Sequence, residues 1–377
     1  MTDPSLFANS RARSAVPLKN WPDADRRAWA LAITPGDLLE PGGIGAAWRP
    51  ATRDGACNAY GRWLAWRARQ GPLDEHADPA ERVTEQAITD YVQYLCAQHS
   101  LSSAAAYLAF LAMALRALAP DRAWGWIGKI ATRLRRNATP VRAKRPRLQS
   151  TDALLSFGIE LMDGAAREPE PVTWRTATGC RDGLMIALLA LRPLRRRNFI
   201  AIQLGRHLVR VGPDYRLRFE GADTKNGRWI DEPFPAPLTD RLERYLQHYR
   251  PWLCAQDSHR NPRIRFQPPG DHLWVSKTGA AMSEDVFYKD LRNRTRERFG
   301  QALSPHLFRD CAATTIATED PAHVAIIPAL LGHTTAQTSE RYYNHAGMID
   351  AGRRVQDVVA KLRHAGTKDQ EQRPCVP

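Results

Sequence analysis

The sequence predicts a mainly α-helical chain with one small antiparallel β-sheet, an α+β fold built as two domains. Residues 53–136 carry four segments in which apolar side chains recur at helical spacing. Residues 207–234 hold three short runs rich in Val, Leu, Tyr and Phe, broken by Gly-Pro and Asn-Gly, which is the chemistry of strands and tight turns. Between these regions, residues 133–150 contain seven basic residues, two prolines and no acid, as an interdomain connection would.

Taken in order, residues 1–50 are rich in Pro, Gly and Ala and read as an N-terminal arm with a short helix near Asp23–Ile33. Residues 51–137 form the helical domain. Its first helix places Tyr60, Trp63, Leu64 and Arg67 at helical spacing, with Arg62, Arg67 and Arg69 beside Trp63 and Trp66. A second starts near Thr84 and lines up Ile88, Tyr91 and Leu95. A third, Ala- and Leu-rich, covers residues 102–118, and a fourth covers 122–136 with Trp124, Trp126, Ile127, Ile130 and Leu134. Short loops between four short helices make a bundle. Most of its Trp and Tyr side chains belong to the core.

Residues 138–150 are the basic linker, and residues 151–365 the second domain. There, residues 153–162 and the strongly apolar 180–191 are helical. Residues 207–211, 215–219 and 229–234 read as a three-stranded meander, and 273–275 as a further short strand. Helices are expected over 238–249 and, capped by Ser283, to about residue 299. Residues 366–377 are polar and read as a disordered tail.

Composition narrows the partners. The 377-residue chain has a net charge of +14 and a pI near 9.8, which favours a polyanion: nucleic acid or an anionic membrane surface. No apolar run approaches the ~20 residues of a spanning helix, and the first residues lack the apolar core of a signal peptide, so no membrane partner is expected. Six cysteines are scattered without a CxxC pair, against a zinc ribbon or a disulfide framework and in keeping with a reducing cytoplasm.

The chemistry concentrates in residues 304–346, which hold His306, Arg309, His333 and Tyr342. A guanidinium clamps phosphoryl oxygens through its fork of donors. Imidazoles exchange protons near neutral pH, and a phenol can attack phosphorus. No third and fourth ligand accompanies the two histidines at zinc spacing, so neither metal nor cofactor is expected. Upstream, Leu194-Arg195-Arg196-Arg197-Asn198-Phe199 supplies further cations. Charge alone does not choose among Arg192, Arg195, Arg196 and Arg197. Lys225 sits beside an Asn-Gly turn signature.

His306-Leu307-Phe308-Arg309 resembles the HxxR motif, and Leu331-Gly332-His333 the LGH motif, of the tyrosine recombinase (phage integrase) family. Thr338-Ser339-Glu340-Arg341-Tyr342 resembles its nucleophile segment, with Tyr342 nine residues after His333, and LRRRNF resembles its LRxxEL box. The resemblance implies a helical core-binding domain followed by a catalytic domain. It assigns Arg195 and Arg309 to the scissile phosphate and Lys225 to the leaving 5′ oxygen as general acid. His306 and His333 would assist proton movement, and Tyr342, rather than neighbouring Tyr343, would be the nucleophile. Two positions depart from the pattern: Asn198 stands where the family usually has Glu, and Asp310 where many members have a third His.

The resemblance further implies a site-specific recombinase or integrase that cleaves and rejoins duplex DNA through a 3′-phosphotyrosyl link, serving a mobile element. Metal and ATP would not be needed. A homotetramer on synapsed sites, accessory DNA-bending proteins or partner recombinases, and a cytoplasmic, nucleoid-associated setting of bacterial or phage type are implied too. The expected DNA contacts outside the catalytic set are Arg133, Arg135, Arg136, Arg142, Lys144, Arg145 and Arg147. A type IB topoisomerase would share the chemistry, and a binder that has lost catalysis would share the charge.

Overall fold

A computed structural model describes residues 15–139, 145–168, 171–256, 268–332 and 355–356. The chain divides into two units, Met1–Arg142 and Ala143–Pro377.

The first unit contains α1 (Asp23–Ile33), α2 (Pro50–Arg67), α3 (Glu85–Gln98), α4 (Leu101–Leu118) and α5 (Gly125–Arg136). Side-chain caps start two of them: Thr84 Oγ1 accepts from Ala87 N at 3.1 Å, and Ser100 Oγ from Ser103 N at 3.3 Å. Tyr60, Trp63, Leu64, Ile88, Tyr91, Leu108, Leu111 and Leu115 fill the core. Residues 15–48, read as part of the N-terminal arm, carry the expected helix and pack with this bundle. Trp21 and Trp29 are buried in the same core, with Trp21 edge-on to Tyr60 at 4.9 Å, because a 150–250 Å² aromatic surface is too costly to leave in water. α4 is 18 residues long with mean hydropathy 1.6, long and apolar enough to cross a membrane, though half of it is buried inside this bundle.

A buried ionic cluster fastens α1 to the bundle. Asp25 accepts from the Tyr60 hydroxyl and from Arg82 Nη1 at 3.0 Å, while Arg82 Nη2 donates to Asp74 O at 2.5 Å. Burial pushes the Asp25 carboxyl above the ordinary carboxylate range against these bonds. Removing one member of a buried pair strands the other charge. Arg82→Ala is therefore expected to cost about 3–5 kcal/mol. It would be read as an earlier denaturant midpoint in tryptophan fluorescence; an unchanged midpoint would make the cluster ornamental.

The second unit opens with α6 (Thr151–Arg167) and α7 (Trp174–Leu191), each longer than its apolar run suggests. The Thr173 and Thr176 side chains form a reciprocal capping box that starts α7 six residues before Cys180. The two helices cross at Gly158 and Gly183. A Cβ on either would lie 2.5–2.6 Å from the other's carbonyl oxygen, so only glycine fits. Next come α8 (Arg196–Ile200) and the sheet β1 (Leu208–Val211), β2 (Asp214–Phe219) and β3 (Ile230–Pro233), antiparallel in the order β1-β2-β3. Val211 pairs Asp214 across Gly212-Pro213, with Gly212 at φ +63°, as a two-residue hairpin with glycine first requires. Phe219 pairs Ile230, so β2 and β3 are joined by the ten residues 220–229, one more than the strand bounds read from the sequence leave, with Gly227 of the Asn-Gly pair at φ +68°.

α9 (Thr239–Arg244) runs through a π turn, Tyr245–Tyr249, into α10 (Arg250–Cys254). Of the expected strand at 273–275, Val275 makes an isolated bridge with Ala281, and the preceding His272 bridges Gln203. α11 (Glu284–Phe299) is capped by Ser283 and stopped by Gly300 at φ +67°. α12 (Pro305–Glu319) and the short α13 (Ile327–Leu331) follow. The expected tail at 366–377 lies outside the described residues.

Candidate functional site

Arg195 is the residue before α8, in extended conformation, and Phe199 N returns a hydrogen bond to its carbonyl at 2.9 Å. Phe199 is buried, stacked on Trp274 at 5.0 Å and Phe287 at 5.3 Å, and its carbonyl accepts from Trp274 Nε1 at 2.7 Å. This anchored aromatic fixes where α8 begins, and hence where the Arg195 side chain leaves the backbone. Arg309 is the fifth residue of α12, among buried Leu307, Phe308 and Cys311, and is itself buried.

The two guanidiniums converge. Arg195 Nη2 donates to Gly332 O at 3.0 Å, and Arg309 Nη2 donates to the carbonyl of the residue before it, Leu331. Arg309 Nη1 also holds Pro193 O at 2.5 Å, next to the Arg195 box. Gly332 ends α13 at φ +56°, which glycine adopts without strain. Both arginines line one cavity of about 290 Å³, together with Asn198, Thr224, Arg228 and Gly332.

The cavity carries positive charge that its own acids do not cancel. Glu232 pairs with Arg192 at 3.2 Å, and Asp231 with Arg216 at 2.7 Å. Arg195 and Arg228 have no acidic partner among the described residues. Burial, and then the nearby Arg228, lowers the Arg195 pKa. An anion in the cavity would reverse that shift. Burial sets Arg195 apart from Arg196, paired with Glu284 at 2.6 Å, and Arg197, which are exposed, but not from Arg192, which is also half-buried, lines the same cavity and is paired with Glu232.

Lys225 is exposed on the 220–229 loop, whose neighbours Thr224 and Arg228 line the cavity. Asn198, the departure from the LRxxEL frame, is buried, and its Nδ2 donates to Asp223 O at 3.2 Å. A carboxylate could not make that bond. Asp223 is also held by Arg206 Nη2 at 3.0 Å and faces His207 Nε2 at 3.5 Å. His207 stacks on Phe219 at 4.9 Å, and its Nδ1 accepts from Gln203 N at 3.1 Å. Burial lowers its pKa despite Asp223, so it serves as a neutral strut.

His306 is exposed in the first turn of α12, three residues before Arg309. Asp310 is buried. His333, Tyr342 and Tyr343 lie outside the described residues. Thr224, Asn226 and Arg228 do not stand out in the sequence as site residues. The charges at 224–228 are visible there, but not that the loop folds against α13.

Of the expected DNA contacts, Arg133, Arg135 and Arg136 are exposed in the last turn of α5. Arg142 and Lys144 lie outside the described residues, and Arg145 begins the 3₁₀ turn Arg145–Arg147. Arg147 donates to Ala302 O, so it secures the end of the linker to the second unit. Among the described residues, no three His, Cys, Asp or Glu side chains gather to hold a metal.

The first unit is helical, and the second joins helices to a three-stranded meander and brings two arginines to one cavity. Compared with protein-family models and curated proteins, the sequence matches none. Solved structures do match. XerH site-specific recombinase bound to its difH substrate, in a pre-cleavage complex, is 14% identical, with TM-score 0.53, covering 89% of this chain and 96% of that one. XerH bound to a palindromic difH substrate, in a post-cleavage complex, is 14% identical, with TM-score 0.51, covering 92% and 97%. The chain has the tyrosine recombinase fold.

Proposed function

We propose that this protein is a site-specific DNA recombinase that cleaves and rejoins duplex DNA through a 3′-phosphotyrosyl intermediate. The observation that carries the reading is the convergence of Arg195 and Arg309 on consecutive carbonyls in a cavity whose described lining holds four arginines against two acids. A phosphodiester in that cavity would meet the remaining N–H groups of two guanidiniums already fixed in place by backbone carbonyls, and the growing charge of the transition state would be stabilised with little reorganisation.

In the proposed step the Tyr342 oxygen forms a bond to phosphorus as the bond from phosphorus to the 5′ oxygen breaks. The phenol's proton passes to an imidazole, His333 or His306, and the departing oxygen takes a proton from the Lys225 ammonium. A free 5′ hydroxyl from a partner strand reverses the step, so bond energy is conserved. Such exchange needs paired sites, hence a homotetramer on two duplexes. Service to a mobile element follows from the family resemblance.

The test selects binding duplexes from a random pool, converts them to nicked suicide substrates, and looks for protein linked covalently to DNA. Adduct followed by religation to a new strand supports the recombinase. Adduct with relaxation of supercoils and no strand exchange would favour a topoisomerase. Binding without adduct would mean a DNA-binding regulator.

Binding should be salt-sensitive. Replacing Arg133, Arg135 and Arg136 together by Ala is expected to flatten the slope of log affinity against log salt by about 0.9 for each phosphate these side chains neutralise. A slope unchanged in fluorescence-anisotropy titrations would remove that helix end from the interface.

A further inference from the structure

Resting on the recombinase reading, we propose that Asn226 is a positioning residue that fastens the Lys225 loop to the Gly332 corner, so that the general acid and the phosphate-binding Arg195 are delivered together. The 220–229 loop is long for a connection between neighbouring strands. Its base is pinned by Asn198 Nδ2 to Asp223 O at 3.2 Å, and its middle by Thr224 Oγ1 to Arg228 O at 2.8 Å. Lys225 itself is exposed and makes no hydrogen bond or ion pair among the described residues, so its neighbours set its place. The next residue reaches out of the loop: Asn226 Nδ2 donates to Gly332 O at 2.9 Å.

That oxygen is the one Arg195 Nη2 takes at 3.0 Å. A carbonyl has two lone pairs and can accept both donors. One atom thereby joins the acid's loop, the phosphate-binding arginine and the backbone that leads into His333. The amide is specific to the task. An aspartate at 226 would set a carboxylate against a carbonyl, with no proton to share.

The test separates proton delivery from phosphate binding. The same suicide duplex is made with an ordinary 5′ oxygen, or a bridging 5′ sulfur, at the scissile bond. A thiolate leaves without a proton, so it does not need Lys225. On the oxygen substrate, Asn226→Ala and Asn226→Asp are expected to form adduct about 10–100-fold more slowly, the scale of a misplaced catalytic group. On the sulfur substrate both should approach the wild-type rate, as should Lys225→Ala. Arg195→Ala should stay slow on both, because its loss lies in the phosphate. Wild-type rates for Asn226→Ala on the oxygen substrate would overturn the proposal. So would slow cleavage of both substrates, which would place Asn226 with the arginine rather than the acid. A wild-type protein that forms adduct with neither substrate would sink the recombinase reading, and this inference with it.

Discussion

Tyr342→Phe is expected to abolish the covalent protein–DNA adduct while DNA binding and folding survive. The substitution removes one oxygen and keeps the ring, and it leaves no atom at that position able to attack phosphorus. A phenol with a pKa near ~10 is almost fully protonated at neutral pH, so it reacts only where cations favour its anion. The Arg195–Arg309 cavity is such a place, and the chain enters it at Gly332, held by two donors. Nine residues separate His333 from Tyr342, a reach of at most about 30 Å, which lets a chain that turns back bring the phenol to the same cavity. Tyr343→Phe should keep substantial adduct, because successive side chains on a helix point ~100° apart and both cannot be in line with one leaving group. Gel detection of linked protein, with peptide mapping of the attached residue, decides between them. Adduct in Tyr342→Phe and none in Tyr343→Phe would move the nucleophile one residue along. Adduct in neither would mean that both phenols act.

Much of this was legible because local rules and tertiary packing agree. The helical spacing of Tyr60, Trp63 and Leu64 in α2, and of Ile88, Tyr91 and Leu95 in α3, marks the faces that are buried. The meander reads through because Gly212 takes the positive φ its turn requires. What stayed hidden was decided by partners distant in sequence. Trp21 and Trp29 sit in a Pro- and Gly-rich stretch that looks like an arm, and what ties it down comes from far along the chain: packing on Tyr60 and the Asp25–Arg82 bond, 57 residues apart. The connection at 220–229 was legible in length, but not that Asn226 gives its amide to Gly332, 106 residues on. The Arg-rich box named Arg195 only through a family frame. The structure adds a physical distinction from Arg196 and Arg197, which are exposed where Arg195 is half-buried in a cavity with Arg309, while Phe199, stacked on Trp274, anchors the helix that begins there.

That distinction gives the second large effect. Arg195→Ala should bind DNA with little loss and cleave it about 10²–10³ more slowly, the usual cost of losing a preorganised donor to a developing charge. Folding should survive, since Gly332 O keeps its bond from Asn226 at 2.9 Å. Arg309→Ala is expected to slow cleavage at least as much, but it also takes the donors away from Pro193 O and Leu331 O. A buried carbonyl stripped of its donor costs about 1–3 kcal/mol, so this variant should also unfold earlier. Arg309→Lys, which can still serve one carbonyl, should recover part of the stability and little of the rate, because a single ammonium cannot reproduce the fork. Arg196→Ala breaks only a half-exposed pair with Glu284, worth about 0–1 kcal/mol, and should leave the rate nearly unchanged. Arg197→Ala, at an exposed position, should do the same. Adduct-formation rates under single-turnover conditions, set beside denaturant midpoints, separate the two kinds of loss. Equal slowing across all four alanine variants would mean that net charge, rather than the geometry of Arg195 and Arg309, governs cleavage.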